Sequence, residues 1–142
     1  DGTEKDTMRN IRRDREFVVN LCDMSIAQQM VDCGHPFAED VDEVELTGLT
    51  HAPSLKIKPA RVAEAPAAME CRVEQMIEYP RRVILLGQVV QMHVRDACLD
   101  AASRYVLPEV YQPIARLHAD NYIVANQQFV LSETPELAKK AR

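Results

Sequence analysis

Hydrophobic and polar positions change their spacing several times along the chain. From Asp6 to Arg15 the apolar residues are sparse, Met8 and Ile11 among charged neighbours, which predicts a short helix with one inward stripe. Phe17-Val18-Val19-Asn20-Leu21 is a compact, β-branched run and predicts a strand buried on both faces. Ser25 with Gln28 three residues later makes a capping-box pattern, so a second helix is expected up to Gly34-His35-Pro36, which stops it. The acidic stretch Glu39 to Glu45 reads as a solvated loop or a single helical turn.

The second half changes character. Leu55 to Val62, Met69 to Ile77 and Val83 to Val94 read as strands, with turns at Pro66 and Pro80. Apolar and polar residues alternate from Met69 to Glu74, the pattern of a strand with one wet face and with Cys71 turned to a core. Leu85, Gly87 and Val89 share one face while Val90, Met92 and Val94 share the other, which predicts a bulge near Val89. Further on, Cys98 to Ala102 reads as a helical turn, Leu107 to Ile114 as a loop, Asn121 to Val124 as helical or extended, and Phe129 to Leu131 as a last short strand. Thr134 to Arg142 reads as a helix or tail on a Thr-Pro start. Long, coiled antiparallel strands suit a small barrel, so the fold class is mainly β with peripheral helices.

With 142 residues, 46% of them hydrophobic, the chain is expected to form a single domain over 1–142. It has neither an apolar run of about 20 residues nor a charged-then-apolar N-terminus, so a cytoplasmic protein without membrane contact is expected. A net charge of −5 argues against nucleic acid as a partner. The four cysteines include no C-x-x-C pair, and the acidic stretch lacks the central Gly and terminal Glu of a calcium loop, so no metal is expected. His35, His51, His93 and His118 carry no nucleophile signature around them and read as structural or exposed. The four glycines form neither a dinucleotide motif nor a P-loop.

Two places carry candidate chemistry. Asp6 or Thr7 before Met8-Arg9-Asn10-Ile11 is an ordinary N-cap, but Lys5 adds a positive charge beside a free helix start, an arrangement that can hold a phosphate. Arg81-Arg82 stands at the mouth of a hairpin, either as a solubilising turn or as a positive group at a barrel rim, and Arg116 in "ARLHADNY" has the same two readings.

Taken in order, "KDTMRNI", "EFVVNL", "VDEVELTGLT", "PARVAEAPAAMECRVEQMI", "LLGQVVQMHV" and "ARLHADNY" resemble the flavin reductase-like and flavoprotein oxygenase family. The resemblance implies an antiparallel Greek-key FMN-binding split barrel, matched from the family's phosphate segment onward and so incomplete at the N-terminus. About a third of the usual domain has no counterpart, either because the sequence is a piece of a longer protein or because a partner completes the barrel. It implies an oxidoreductase that passes electrons from NAD(P)H through FMN to an acceptor, and a homodimer. By resemblance Lys5, Asp6, Thr7 and Asn10 hold the FMN phosphate, while Arg82, Arg116 and Tyr122 face the ring or the nicotinamide. Some relatives place a histidine where Arg82 stands, and arginine cannot take over a proton-transfer role. The alternatives are a non-catalytic FMN-binding module and a fragment that binds no flavin.

Overall fold

The computed structural model describes residues 4–38, 40–80 and 82–132. The architecture is mainly antiparallel β with short helices. The first helix, α1, spans Asp6–Asp14 and buries Ile11, as the spacing predicts. Its N-cap is Lys5 rather than Asp6 or Thr7: Lys5 is extended, and its carbonyl accepts from Met8 N at 2.9 Å and Arg9 N at 3.2 Å. Asp6 and Thr7 are thereby moved inside the first turn. Arg15 ends the helix in the left-handed region, φ 59°, with its N–H on the Ile11 carbonyl.

Strand β1 (Glu16–Leu21) pairs with β4 (Ala67–Tyr79), which pairs with β5 (Arg82–Val94), in the order β1-β4-β5. The register sets Phe17 opposite Cys71 and Cys71 opposite Val89. Glu70 pairs with Gln91, so Val90 is the extra residue of a bulge, one position from where the face switch predicted it. A second irregularity leaves Glu74 unpaired between Val73 and Gln75. β1 is an edge strand whose side chains are half-buried except for the exposed Asn20, which corrects the expectation of burial on both faces.

The second helix begins differently from its predicted box. Asp23, 5% exposed, accepts from Ser25 N at 2.9 Å and from Ser25 Oγ at 2.5 Å, so Ser25 donates and Asp23 is the cap. A 3₁₀ turn, Met24–Ile26, leads into α2 (Ala27–Asp32). The acidic stretch closes into the single turn α3 (Glu43–Leu46), capped by Asp42 Oδ1 on Val44 N and Glu45 N and ended by Gly48 at φ 79°.

Leu55 to Val62 is not a strand. Only β3 (Arg61–Val62) pairs, with β2 (His51–Ala52), and residues 53–60 form a bent loop. Pro53 and Pro59 lack donors, and the N–H groups of Leu55, Lys56 and Lys58 go to carboxylates instead of a ladder. Asn121–Val124 is the strand β7, paired with β6 (Ile114–His118), a hairpin whose first strand the sequence pattern concealed. Phe129, Val130 and Leu131 are exposed and pair with no strand among the described residues, which corrects the expectation of a last short strand. Thr134 to Arg142 and Arg81 lie outside the described residues.

The core is small. Ile26, Leu49 and Ala65 cluster with Cys22, Cys33, Val44 and Val62, while Ala68 and Cys71 are buried on β4. Burial pushes the Cys71 thiol up, in keeping with its role as a small apolar residue. No helix among the described residues is long and apolar enough to cross a membrane. β5 forms the outer edge of its sheet, with Ile84, Leu86, Val89 and Met92 each about half exposed.

Candidate functional site

Against one side of α1 lies a cavity of about 560 Å³, walled by β1 and by the loop 53–60. Thr7, Asn10 and Asn20 bring neutral polar groups to it, and Lys58 and Arg13 bring positive charge. Phe17 and Val18 supply an apolar strip. Arg13 is already committed, its Nη2 lying 2.7 Å from Asp14 Oδ2. The hydrogen bond from Arg13 holds the Asp14 carboxyl below its ordinary range, and the nearby positive charge of Lys58 adds to it. The Lys58 ammonium has no ion pair among the described residues and is the available cation of the cavity.

Lys58 is placed by a set of side-chain acceptors under its loop. Glu70 on β4 is 0% exposed; its Oε1 accepts from Leu55 N at 2.7 Å and meets His93 Nε2 at 2.6 Å, and its Oε2 accepts from Lys56 N at 2.7 Å. Burial by itself raises the Glu70 carboxyl, but the two backbone donors and His93 outweigh it, and the group is held below its ordinary value. Glu16 Oε2 accepts from Lys58 N at 2.9 Å, Arg72 Nη2 donates to the Lys56 carbonyl at 2.9 Å, and Asn20 Oδ1 accepts from Val62 N at 3.0 Å. The loop is fixed to the sheet from both ends.

The sequence candidates fall into three groups. Lys5, Asp6, Thr7 and Asn10 share the start of α1, and of these Thr7 and Asn10 line the cavity. The Lys5 side chain makes no capping bond, which leaves it free to turn toward an anion. Asp6 is ion-paired with Arg9. Arg82 stands apart at the hairpin tip, in a shallow hollow with Tyr79, Pro80 and Ile84. Arg116 and Tyr122 are opposite each other on β6 and β7; Arg116 Nε donates to the Ala119 carbonyl at 2.8 Å, and Tyr122 lines a mostly apolar groove with Met24, Met30 and Val31. Arg12 links α1 to the hairpin tip, donating to both carboxylate oxygens of Glu78 at 2.6 and 3.0 Å.

Sequence reasoning missed Lys58, Asn20 and the Glu70–His93 pair. Asn20 was the one signal available, a polar residue breaking the apolar run of β1. His93, read as structural or exposed, is half-buried against a carboxylate that the alternation placed in water. His51 is exposed, as expected, and bonds Asp42 at 2.7 Å.

The Thr7 hydroxyl, the Asn10 amide and the Lys58 ammonium line one side of a nine-residue helix in a cavity of ligand size; Asp14 and Glu16 are on the same wall but are engaged by Arg13, Arg72 and the Lys58 N–H, which leaves donors for the phosphate end of a flavin nucleotide. The profile of a family described as the flavin reductase like domain matches residues 2–113. A 2-nitrobenzoate 2-nitroreductase of Pseudomonas fluorescens is 33% identical, with a TM-score of 0.82 over 92% of this chain and 65% of its own. Nitrilotriacetate monooxygenase component B of Bacillus cereus is also 33% identical, with a TM-score of 0.84 over 92% of this chain and 66% of its own. An uncharacterized protein of Aquifex aeolicus is 33% identical over 88% of this chain and 63% of its own length. The chain therefore spans somewhat under two thirds of that relative. A flavoredoxin of Desulfovibrio vulgaris, 18% identical with a TM-score of 0.81, shares the split-barrel fold.

Proposed function

The chain belongs to the flavin reductase-like domain family, and from that membership we propose that it is the FMN-binding part of an oxidoreductase that takes electrons from NAD(P)H. The observation that carries the reading is that Thr7, Asn10 and Lys58 line one cavity along α1. Thr7 Oγ1 and the Asn10 amide donate to phosphate oxygens, and Lys58 and Lys5 neutralise their charge. Asp6 contributes through its ion pair with Arg9 in the first turn. Glu70, Glu16 and Asn20 keep the loop, and with it Lys58, in place before the ligand arrives, so little ordering cost falls on binding.

FMN held there would supply the hydride and electron-transfer chemistry. The protein's part is to hold and orient. Phe17 and Val18 give the cavity an apolar side. Arg82, whose side chain has no hydrogen bond or ion pair among the described residues, is the candidate for an electron-rich edge of the ring, and Arg116 and Tyr122 are candidates for the nicotinamide side. The half-exposed Ile84, Leu86 and Met92 along the open edge of β5 support a homodimer, whose formation would cover them.

An absorption spectrum tests the reading. Purified protein is expected to retain a yellow flavin whose visible band bleaches when NADH is added. A bound flavin that does not bleach leaves a binding module, and a protein that takes up no FMN overturns the assignment.

A further inference from the structure

A second cavity, of about 420 Å³, begins where the loop of the first ends: residues 58–60 wall the first, and Arg61, Ala63 and Ala65 wall the second. Its other side is the end of β5 and the turn beyond it, with His93, Arg95 and Asp96. The alanines leave space, and the arginines fill its rim with charge. Arg61 Nε is buried and has no hydrogen-bond partner. Neither Arg61 nor Arg95 has a carboxylate partner among the described residues, whereas Arg12, Arg13 and Arg72 each meet one. Arg95 Nη2 is bonded to the Glu64 backbone carbonyl, an acceptor without net charge. His93 Nε2 is held by Glu70, which fixes the ring beside the cavity.

A partly buried guanidinium without an acceptor is costly, and native structures rarely leave one so. Arg61 is such a guanidinium, and the exposed Arg95 beside it adds a second positive charge against the single carboxylate on the wall, Asp96, so that an anion would supply the acceptor Arg61 lacks. The net charge of −5 gives the whole molecule no attraction for anions, so this positive patch is local. Planar guanidinium forks match carboxylate and phosphate oxygens in pairs. The volume exceeds what a bare inorganic ion fills and lies in the range of small organic ligands. We propose that this cavity is an oxyanion site that takes the carboxylate or phosphate end of a small organic anion, with Arg61 as its anchor and Arg95 as the second donor. The site is distinct from the α1 cavity and stands whether or not that cavity holds FMN.

The test follows the His93 ring resonances by NMR in the intact protein, in chloride buffer, during titration with inorganic phosphate and separately with benzoate. The expected result is a saturable shift with at least one probe; the stronger probe assigns phosphate or carboxylate as the preferred end. Arg61→Met is expected to weaken that probe by about 10- to 100-fold, the loss of one charge-assisted contact, and Arg61→Lys to fall between. Arg95→Met serves as the second variant if Arg61→Met does not fold. Shifts that do not saturate, or that survive both arginine substitutions, overturn the proposal. So does a response abolished by Thr7→Ala or displaced by FMN, because the anion would then sit in the α1 cavity.

Discussion

Replacing Glu70 by Gln keeps the size of the side chain while removing its charge and one acceptor. In the protein Oε1 serves Leu55 N and His93 Nε2, and Oε2 serves Lys56 N, at 2.6 to 2.7 Å with no exposure to water. The Gln carbonyl can take over the first position, but its amide then points an N–H at the Lys56 N–H. One hydrogen bond to a charged acceptor is lost, worth roughly 1.5–3 kcal/mol, and the two others weaken toward the value of neutral bonds. The expected destabilisation is about 3 kcal/mol, which for a chain of this size lowers the thermal midpoint by about 10 °C. Urea unfolding at neutral pH, with an unchanged m-value, measures it. Because Glu70 is held below its ordinary value of 4.5, the unfolded chain binds its proton first on acidification. The gap between wild type and Glu70→Gln is therefore full above that value and closes as the pH falls through the lower folded one. A variant as stable as wild type, or a gap that stays open in acid, would refute the reasoning.

The packing leads to three more expected outcomes. A Cβ at Gly87 would lie 2.6 Å from Phe17 Cζ and 3.4 Å from Cys71 Cβ, so Gly87→Ala should destabilise by about 1–3 kcal/mol in urea unfolding and also weaken FMN, since Phe17 lines the cavity. Asp23→Ala removes the buried cap of the turn before α2 and should cost about 1–2 kcal/mol by the same measurement, with Asp23→Asn restoring most of it. Light scattering of the intact protein should give twice the monomer mass, and Leu86→Glu on the open edge of β5 should halve it; a monomeric wild type would rule out the homodimer.

The elements that declared themselves in the sequence are those whose local pattern and tertiary setting agree. Ile11 on α1, Cys71 on β4 and the face switch that becomes the Val90 bulge are all read from spacing, because burial there follows side-chain direction alone. The loop 53–60 was concealed for the opposite reason. Its Leu-Lys-Ile-Lys alternation imitates a strand, while what decides its shape is a carboxylate 14 residues downstream that takes its backbone donors. Glu70 in turn imitates a solvent-facing residue, since a charge that is buried and satisfied cannot be told from a wet one by periodicity. The candidate site was half legible: the start of α1 could be found, but Lys58 is brought to the cavity only by that loop.

The measurement that bears most directly on the central claim compares FMN with riboflavin, which lacks the phosphate, by fluorescence titration of the intact protein. With Thr7, Asn10 and Lys58 gripping the phosphate, FMN should bind about 100-fold more tightly, and Lys58→Ala combined with Thr7→Ala should erase most of that difference. Equal affinity for the two flavins, or a preference for FMN that both substitutions leave intact, would contradict the assignment of the α1 cavity.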